Sequence, residues 1–277
     1  MKNKVIVTGY MGYIGSRLYK KLKEMGHDVR GIDLKDGEDI KHSLPPEEFD
    51  YVFHMAALPS VQYSVENPSY TLLQNVYATS VLLQWAKEHG VRRVIFSSSA
   101  AAQGENGYPT SPYGMHKKMS EMECKLYSQM YDVDTACLRY FNVYSEDQKY
   151  GGAYSTVISA WMYMIKHGKP LRIDGDGEQT RDFIHVDDIV GANIFCMNRE
   201  SNFNGDVLNV ASGESISLKC IKSFIDNKNK DIKWNVLPNR EGDIKHSVSD
   251  IRKMLDMGWI PNVSIRDGLE KCFGEAI

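Results

Sequence analysis

The chain has 277 residues, 42% of them apolar and 25% charged, with a formal charge of −3. That is enough apolar material for one large α/β domain or two lobes, which excludes a disordered chain, and the near balance of charge argues against nucleic acid as a partner. Cys124, Cys137, Cys196, Cys220 and Cys272 are scattered without a CxxC pair, and the histidines lack ligand spacing. Reduced thiols in a cytoplasmic compartment and no metal site are therefore expected. The N-terminal stretch MKNKVIVTGY is too poor in apolar residues for a signal peptide, and no run approaches a membrane span.

Lys4–Thr8 (KVIVT) reads as a short buried strand, followed by a glycine-punctuated turn and a helix over Ser16–Met25 that ends at Gly26. Asp28–Asp33 is a second strand. Further apolar strands are predicted at Tyr51–His54, Val94–Ser97 and Thr135–Tyr140, with helices at Val76–His89 and about Pro112–Tyr131. Strands alternating with helices, and apolar throughout, imply a parallel sheet covered on both faces, hence a Rossmann-like doubly wound lobe. Beyond residue 142 the pattern loosens around Gly151–Gly152, Gly168 and DGDGE (174–178). This part is read as a smaller, discontinuous C-terminal lobe made largely of loops. The helix Asp187–Met197 returns to the first lobe, so the predicted division is 1–142 plus about 183–202 against 143–182 plus 203–277.

Gly9, Gly12 and Gly15 fall in GYMGYIG, directly after a strand and at the start of a helix. Glycines there let the backbone approach a pyrophosphate, and free N–H groups at the helix start attract its charge. Asp33 ends the second strand, where a carboxylate holds the ribose hydroxyls of NAD and repels a 2′-phosphate. Lys35 and Arg17 stand near enough to leave NADP open. Further on, Tyr113 and Lys117 are four apart at a helix start, on one face. A tyrosine near pKa 10 is a poor base, and a neighbouring ammonium favours its phenolate. Taken alone the pair is common on exposed helices. Its place after a dinucleotide motif and the serine-rich stretch FSSSAAAQG (96–104) gives it meaning.

TGYMGYIG (8–15), HMAA (54–57), SSS (97–99), YGMHK (113–117), RYFNVY (139–144), GDGEQTRDFIHVDD (175–188) and REGDIKHSVSD (240–250) follow one another in order. Together they resemble the extended short-chain dehydrogenase/reductases, in particular the nucleotide-sugar epimerases and dehydratases, over nearly the whole chain. The resemblance implies an NAD-holding Rossmann lobe and a smaller lobe for a nucleotide-sugar. It implies that Ser99 hydrogen-bonds the sugar O4, that Tyr113 takes the O4 proton, and that Lys117 holds the nicotinamide ribose and the phenolate's charge. Tyr13, Ile14, Asp39, Ile40, Ala56, Ala57, Asn75, Ser97 and Tyr140 match positions along the dinucleotide. Asn142, Gln148, Arg181 and Arg240 match positions that contact the diphosphate, uridine or sugar, and an arginine fork suits phosphate oxygens. Ser60, and with it Ser64, fits the sugar-side loop.

Dehydratases of this family usually carry an Asp-Glu pair after the catalytic hydroxyl; here Ala100 and Ala101 follow Ser99 and can move no proton. That points to a 4-epimerase acting through a transient 4-keto sugar. Ser247 falls at the family's gatekeeper position, where a small residue admits a 2-acetamido group. The implied substrates are UDP-GlcNAc and UDP-GalNAc, with UDP-glucose and UDP-galactose as further candidates. A UDP-glucuronate 4-epimerase or decarboxylase, another nucleotide-sugar dehydratase, and a non-catalytic NAD-binding protein are the alternatives. A homodimer through the helices Val76–His89 and Pro112–Tyr131 is the family's habit. Only residues 34–38 separate Asp33 from Asp39-Ile40 where relatives carry a longer insert, so the adenine side is expected to be more open.

Overall fold

A computed structural model describes residues 2–104, 106–152, 155–238, 245 and 249–274. Arg240 and Ser247 lie outside the described residues. In chain order the elements begin with β1 (Lys4–Thr8), α1 (Tyr13–Glu24), β2 (Asp28–Ile32) and β3 (Tyr51–His54). Next come α2 (Val61–Glu66), α3 (Pro68–Leu72), a π-helical turn Leu73–Tyr77, α4 (Ala78–Glu88), β4 (Arg93–Ser99), α5 (Pro112–Met130) and β5 (Asp134–Tyr140). The remainder is β6 (Asn142–Tyr144), α6 (Val157–Lys166), β7 (Leu171–Asp174), β8 (Thr180–His185), α7 (Val186–Asn198), β9 (Asp206–Val210), β10 (Ser215–Ser217), α8 (Leu218–Lys228), β11 (Trp234–Leu237), α9 (Arg252–Asp256) and α10 (Ile265–Phe273).

The chain divides into two compact units, Met1–Tyr140 with Val190–Asn209, and Phe141–Ile189 with Val210–Ile277. The first unit is built on a six-stranded sheet in the order β2-β1-β3-β4-β5-β9. Its β1–β2, β1–β3, β3–β4 and β4–β5 pairs are parallel. Residues 5–8 and 51–54 are buried without a break, as strands covered on both faces must be. Ile6, Val52, Val94 and Phe96 pack with Leu82, Leu83, Cys124 and Cys137 into one core. The chain runs from β1 outward to β2, then crosses to β3 on the other side, which makes the β1/β3 boundary the topological switch point. After β2 there is only a 3-10 turn, Leu34–Asp36, before β3, so β2 is the edge strand.

The second unit holds a three-stranded sheet, β10-β8-β6, and a two-stranded parallel pair, β11-β7. It is more regular than the expected loops. Tyr144, Trp161, Phe183, Ile221, Ile225 and Phe273 form its core. Three of its helices, α6, α8 and α10, follow Thr156, Ser217 and Ser264, each of which caps the backbone N–H three residues on. The short strands Asn142–Tyr144 and Ser215–Ser217 carry too few residues to show a period, which is why the sequence reads as loop there. The returning segment is 190–209 instead of about 183–202. Phe183–His185 pairs with β6 inside the second unit, while β9 joins the first sheet beside β5. Among the described residues no helix is long and apolar enough to cross a membrane.

Candidate active site

At the end of β1 the backbone turns at Gly9 with φ +67°, a left-handed conformation that favours glycine. A Cβ on Gly9 would stand 2.7 Å from the Ala56 nitrogen, and one on Gly15 would stand 2.2 Å from the Gly9 carbonyl oxygen. The glycines thus let the turn press against α1 and against the end of β3. Thr8 Oγ1 accepts the Ala56 N–H at 3.2 Å, which holds Ala56-Ala57 at the switch-point crevice. Helix α1 opens at Gly12 with no side chain capping it and no acid in its first turn. Its N–H groups and positive dipole end suit a pyrophosphate. Arg17 lies 4.7 Å over the Tyr13 ring and donates to the Tyr13 carbonyl at 2.7 Å, so its guanidinium is held against α1. Ile14 is half-buried in the same turn.

Asp33 sits at the end of β2. Its two oxygens accept the N–H groups of Met11 and Lys35, each at 3.0 Å. Each carboxylate oxygen keeps a second acceptor site, so the group can still receive ribose hydroxyls. Asp39 caps the Lys41 N–H at 2.9 Å and pairs with the Lys41 ammonium at 2.8 Å, while Ile40 points into the core. Asn75 lies in the π-helical turn and makes a two-way clasp with Leu58, accepting its N–H at 2.8 Å and donating to its carbonyl at 3.1 Å. Tyr140 is buried and exchanges hydrogen bonds with Asn193; burial pushes its phenol up. These residues, with the glycine turn, fit a dinucleotide laid across the ends of β1 and β3.

Ser97, Ser99, Tyr113 and Lys117 are brought together by β4 and α5. Ser111 caps α5 by accepting the Gly114 N–H at 3.1 Å, and Pro112 occupies the first turn, where its missing N–H does no harm. Gly114 is needed because a Cβ there would stand 2.4 Å from the Ala101 carbonyl oxygen. The start of α5 therefore lies directly on the 3-10 turn Ala100–Ala102. Ser99 introduces that turn, its Oγ accepting the Ala101 N–H at 3.2 Å. Lys117, 3% exposed, donates to the Ser97 carbonyl at 2.6 Å and lies 6.0 Å from the centre of the Tyr113 ring. Burial lowers its ammonium to about 8. Ser97 is itself fixed by donating to the His54 carbonyl at 2.9 Å.

Of three supports of this site, Glu121 and His54 were not singled out in the sequence, while Ser64 was expected in the sugar-side loop. Ser64, fully buried on α2, accepts the Tyr113 N–H at 3.0 Å, so its hydroxyl is spent on α5. Glu121, one turn beyond Lys117, accepts from Ser98 at 2.6 Å and from Arg139 through both oxygens at 2.7 Å. The recurrence of Lys117 and Glu121 on one helix face, with Arg139 in the next strand, was a usable signal. His54, buried between Thr8 (2.8 Å) and Thr79 (3.0 Å), is pushed down to about 3 by burial first and then by the Lys117 charge. It is a neutral imidazole under the site.

Of the expected substrate residues, Ser60 caps α2 by accepting the Tyr63 N–H at 3.1 Å. In the second unit Asn142 donates to the Asp182 carbonyl at 2.8 Å. Gln148 is buried, donating to the Val143 carbonyl at 3.2 Å and accepting from Thr156 at 2.8 Å. Both ends of its amide are engaged inside that unit. Arg181 donates to the Thr180 carbonyl at 2.8 Å.

This arrangement has relatives. The chain is 30% identical to a putative UDP-glucose 4-epimerase of Methanocaldococcus jannaschii over 96% of each. Among solved structures it is similar to the UDP-N-acetylglucosamine 4-epimerase of Methanobrevibacter ruminantium, solved with UDP-N-acetylmuramic acid, at 32% identity and TM-score 0.87 over 100% of each chain. It is also similar to the UDP-glucuronic acid 4-epimerase of Bacillus cereus, solved with UDP-glucuronic acid and NAD, at 28% identity and TM-score 0.86 over 99% and 98% of the two chains. The model of the NAD dependent epimerase/dehydratase family matches residues 5–211. With a glycine turn that fits a pyrophosphate, an acid closing β2 and this breadth of similarity, the protein belongs to the NAD dependent epimerase/dehydratase family.

Proposed function

We propose that the protein interconverts UDP-GlcNAc and UDP-GalNAc by 4-epimerisation, with UDP-glucose and UDP-galactose as further substrates. The observation that carries the reaction type is the Tyr113–Lys117 pair, on one buried helix face and packed against a turn in which Ala100 and Ala101 follow Ser99. In this reading Ser99 donates its hydroxyl to the sugar O4, and Tyr113 takes the O4 proton as general base. Lys117, held by the Ser97 carbonyl, keeps a positive charge near the phenol and favours its ionised form. NAD, when bound, would supply reversible hydride-transfer chemistry at the sugar C4, by way of a 4-keto sugar. The chain's part is then to hold that keto sugar while it turns, and Ala100 and Ala101 give no group that could remove the C5 proton and divert it to elimination.

The glycines of 9–15, Asp33, Asp39, Ile40, Ala56, Ala57, Asn75 and Tyr140 would line the dinucleotide; Asn142, Arg181 and Arg240 would contact the nucleotide-sugar. Ser247 supports the acetamido sugars by being small at the gatekeeper position, and the Methanobrevibacter epimerase is similar over its whole length. The free thiols, Cys124, Cys137, Cys196 and Cys272 among them buried, suit a reducing cytoplasm. A homodimer is inferred from exposed apolar side chains on α5 and on 70–77.

Purified protein given UDP-GlcNAc, UDP-glucose and UDP-glucuronate separately, with products resolved by chromatography, tests the reading. UDP-GalNAc should form without net NADH, and Tyr113→Phe should lower turnover by at least about 100-fold, the scale of a lost general base. Wild-type turnover in that variant would overturn the mechanism. Ser247→Tyr should suppress the acetamido sugars more than the plain ones. Exclusive conversion of UDP-glucuronate would replace this substrate assignment with the glucuronate one.

A further inference from the structure

Tyr10, the second residue of the glycine turn, has its ring laid flat over the edge strand. A Cβ on Gly31 in β2 would stand 2.4 to 2.7 Å from three of its ring carbons, so the ring occupies the space a side chain there would need. The ring also lies 4.9 Å from that of Tyr19 on α1, tilted to it at 42°. Its hydroxyl donates to Asp36 Oδ2 at 2.6 Å. Two further bonds join the same pair of segments. Asp33 accepts the Met11 N–H at 3.0 Å, and the Lys35 ammonium donates to the Met11 carbonyl at 3.2 Å. The turn 34–36 is otherwise short and exposed, ending at Gly37 with φ +84°. Residues 10 and 11, which carry the pyrophosphate turn, are thus tied at three points to residues 33–36, which carry the ribose acid.

We propose that Tyr10 and Asp36 are positioning residues for NAD: their hydrogen bond fixes the 33–36 turn so that the Asp33 carboxylate is already aimed at the adenosine ribose. A carboxylate held in place loses less freedom on binding, which is the way preorganisation raises affinity. The Tyr10 phenol is held protonated to about 12 by its bond to Asp36, and that same bond lowers the Asp36 carboxyl, so donor and acceptor keep their roles at neutral pH. The inference rests on Asp33 receiving the cofactor's ribose.

The test is NAD affinity, measured by isothermal titration calorimetry on the full chain freed of cofactor with charcoal. Tyr10→Phe keeps the ring on Gly31 and removes only the donor; Asp36→Asn removes the charge. Each should raise the NAD Kd about fivefold, the net scale of one ordinary hydrogen bond at an exposed site, and the double variant should do no more than either alone. AMP, which carries the adenosine half by itself, should weaken by the same factor. The melting temperature without NAD should move by less than about 2 °C for Tyr10→Phe, since the packed ring remains. An unchanged Kd in both variants, or losses that add in the double, would overturn the proposal. Asp33→Asn separates the two layers. If it alone weakens NAD, only the Tyr10–Asp36 inference falls; if it too leaves NAD unaffected, the reading of Asp33 falls and the inference with it.

Discussion

Lys117 shows what the site asks of one residue. Its ammonium is buried, with the Ser97 carbonyl as hydrogen-bond acceptor and the Phe96 ring 4.8 Å away. Burial is the leading reason it is lowered from 10.5 to about 8, while the charge of Glu121 works in the other direction. Below pH 8 the folded protein therefore carries a charge that the unfolded chain would hold more comfortably. From pH 8 to 10.5 the unfolded state binds the extra proton, so this penalty fades as pH rises and is absent above 10.5. Lys117→Met removes it at pH 7. Set against the lost bond to Ser97, the variant should be more stable by about 2 kcal/mol and melt roughly 4 °C higher, while epimerisation is abolished. Calorimetry of wild type and variant at pH 7 and pH 10 checks this, and the gap should narrow at the higher pH. A variant that melts lower at pH 7 would show that the lysine contributes to the fold.

At the scale of elements, β1, β3 and α5 were legible because each carries a strong local signal. Lys4–Thr8 and Tyr51–His54 are short apolar runs with turns at their ends, and the structure places them at those residues. Helix α5 announces itself through Ser111-Pro112 at its start. The stretch 61–77 was not legible. No element was read there before the helix at Val76–His89, and the stretch forms α2, α3 and a π-helical turn, with α4 beginning at Ala78. The turn carries Asn75, whose amide is tied to the Leu58 backbone, and such a partner seventeen residues away leaves no period in the local sequence. Likewise Ser64 and Ser60 read alike in the sequence. Only the structure separates a buried bond to the Tyr113 N–H from an ordinary helix cap. His54 closes β3 and carries a consequence for the element. Folded, it titrates at about 3; unfolded, at about 6.5. Between those values the unfolded chain binds the extra proton, so stability falls as pH drops. The loss between pH 7 and pH 4.5 should be about 3 kcal/mol from this residue. Unfolding free energies from urea titrations at the two pH values should differ by that much more in wild type than in His54→Gln; equal differences would remove His54 as the cause.

For the whole molecule the informative surface is apolar. Met119, Met122, Leu126 and Met130 are exposed on α5 at 37%, 65%, 44% and 64%, a stripe at helical spacing that faces away from the Tyr113–Lys117–Glu121 face. Tyr70, Leu73 and Tyr77 add a second stripe on the neighbouring turns, which pack against α5. A chain with 42% apolar residues always exposes some, but contiguous stripes on adjoining helices are the surface that the proposed homodimer would cover. The stripes are self-complementary in kind, aromatic and methionine with few charges, as a two-fold interface requires. Met122→Lys places an ammonium where the partner's apolar side chains would cover it, and an unpaired buried charge is not tolerated there. Light scattering should then give the 31.5 kDa mass of one chain for the variant and twice that for the wild type, with circular dichroism unchanged. Because Met122 lies on the far side of α5 from Tyr113, the folded monomer should keep its NAD affinity, and a wild type that is already monomeric at micromolar concentration would dismiss the interface.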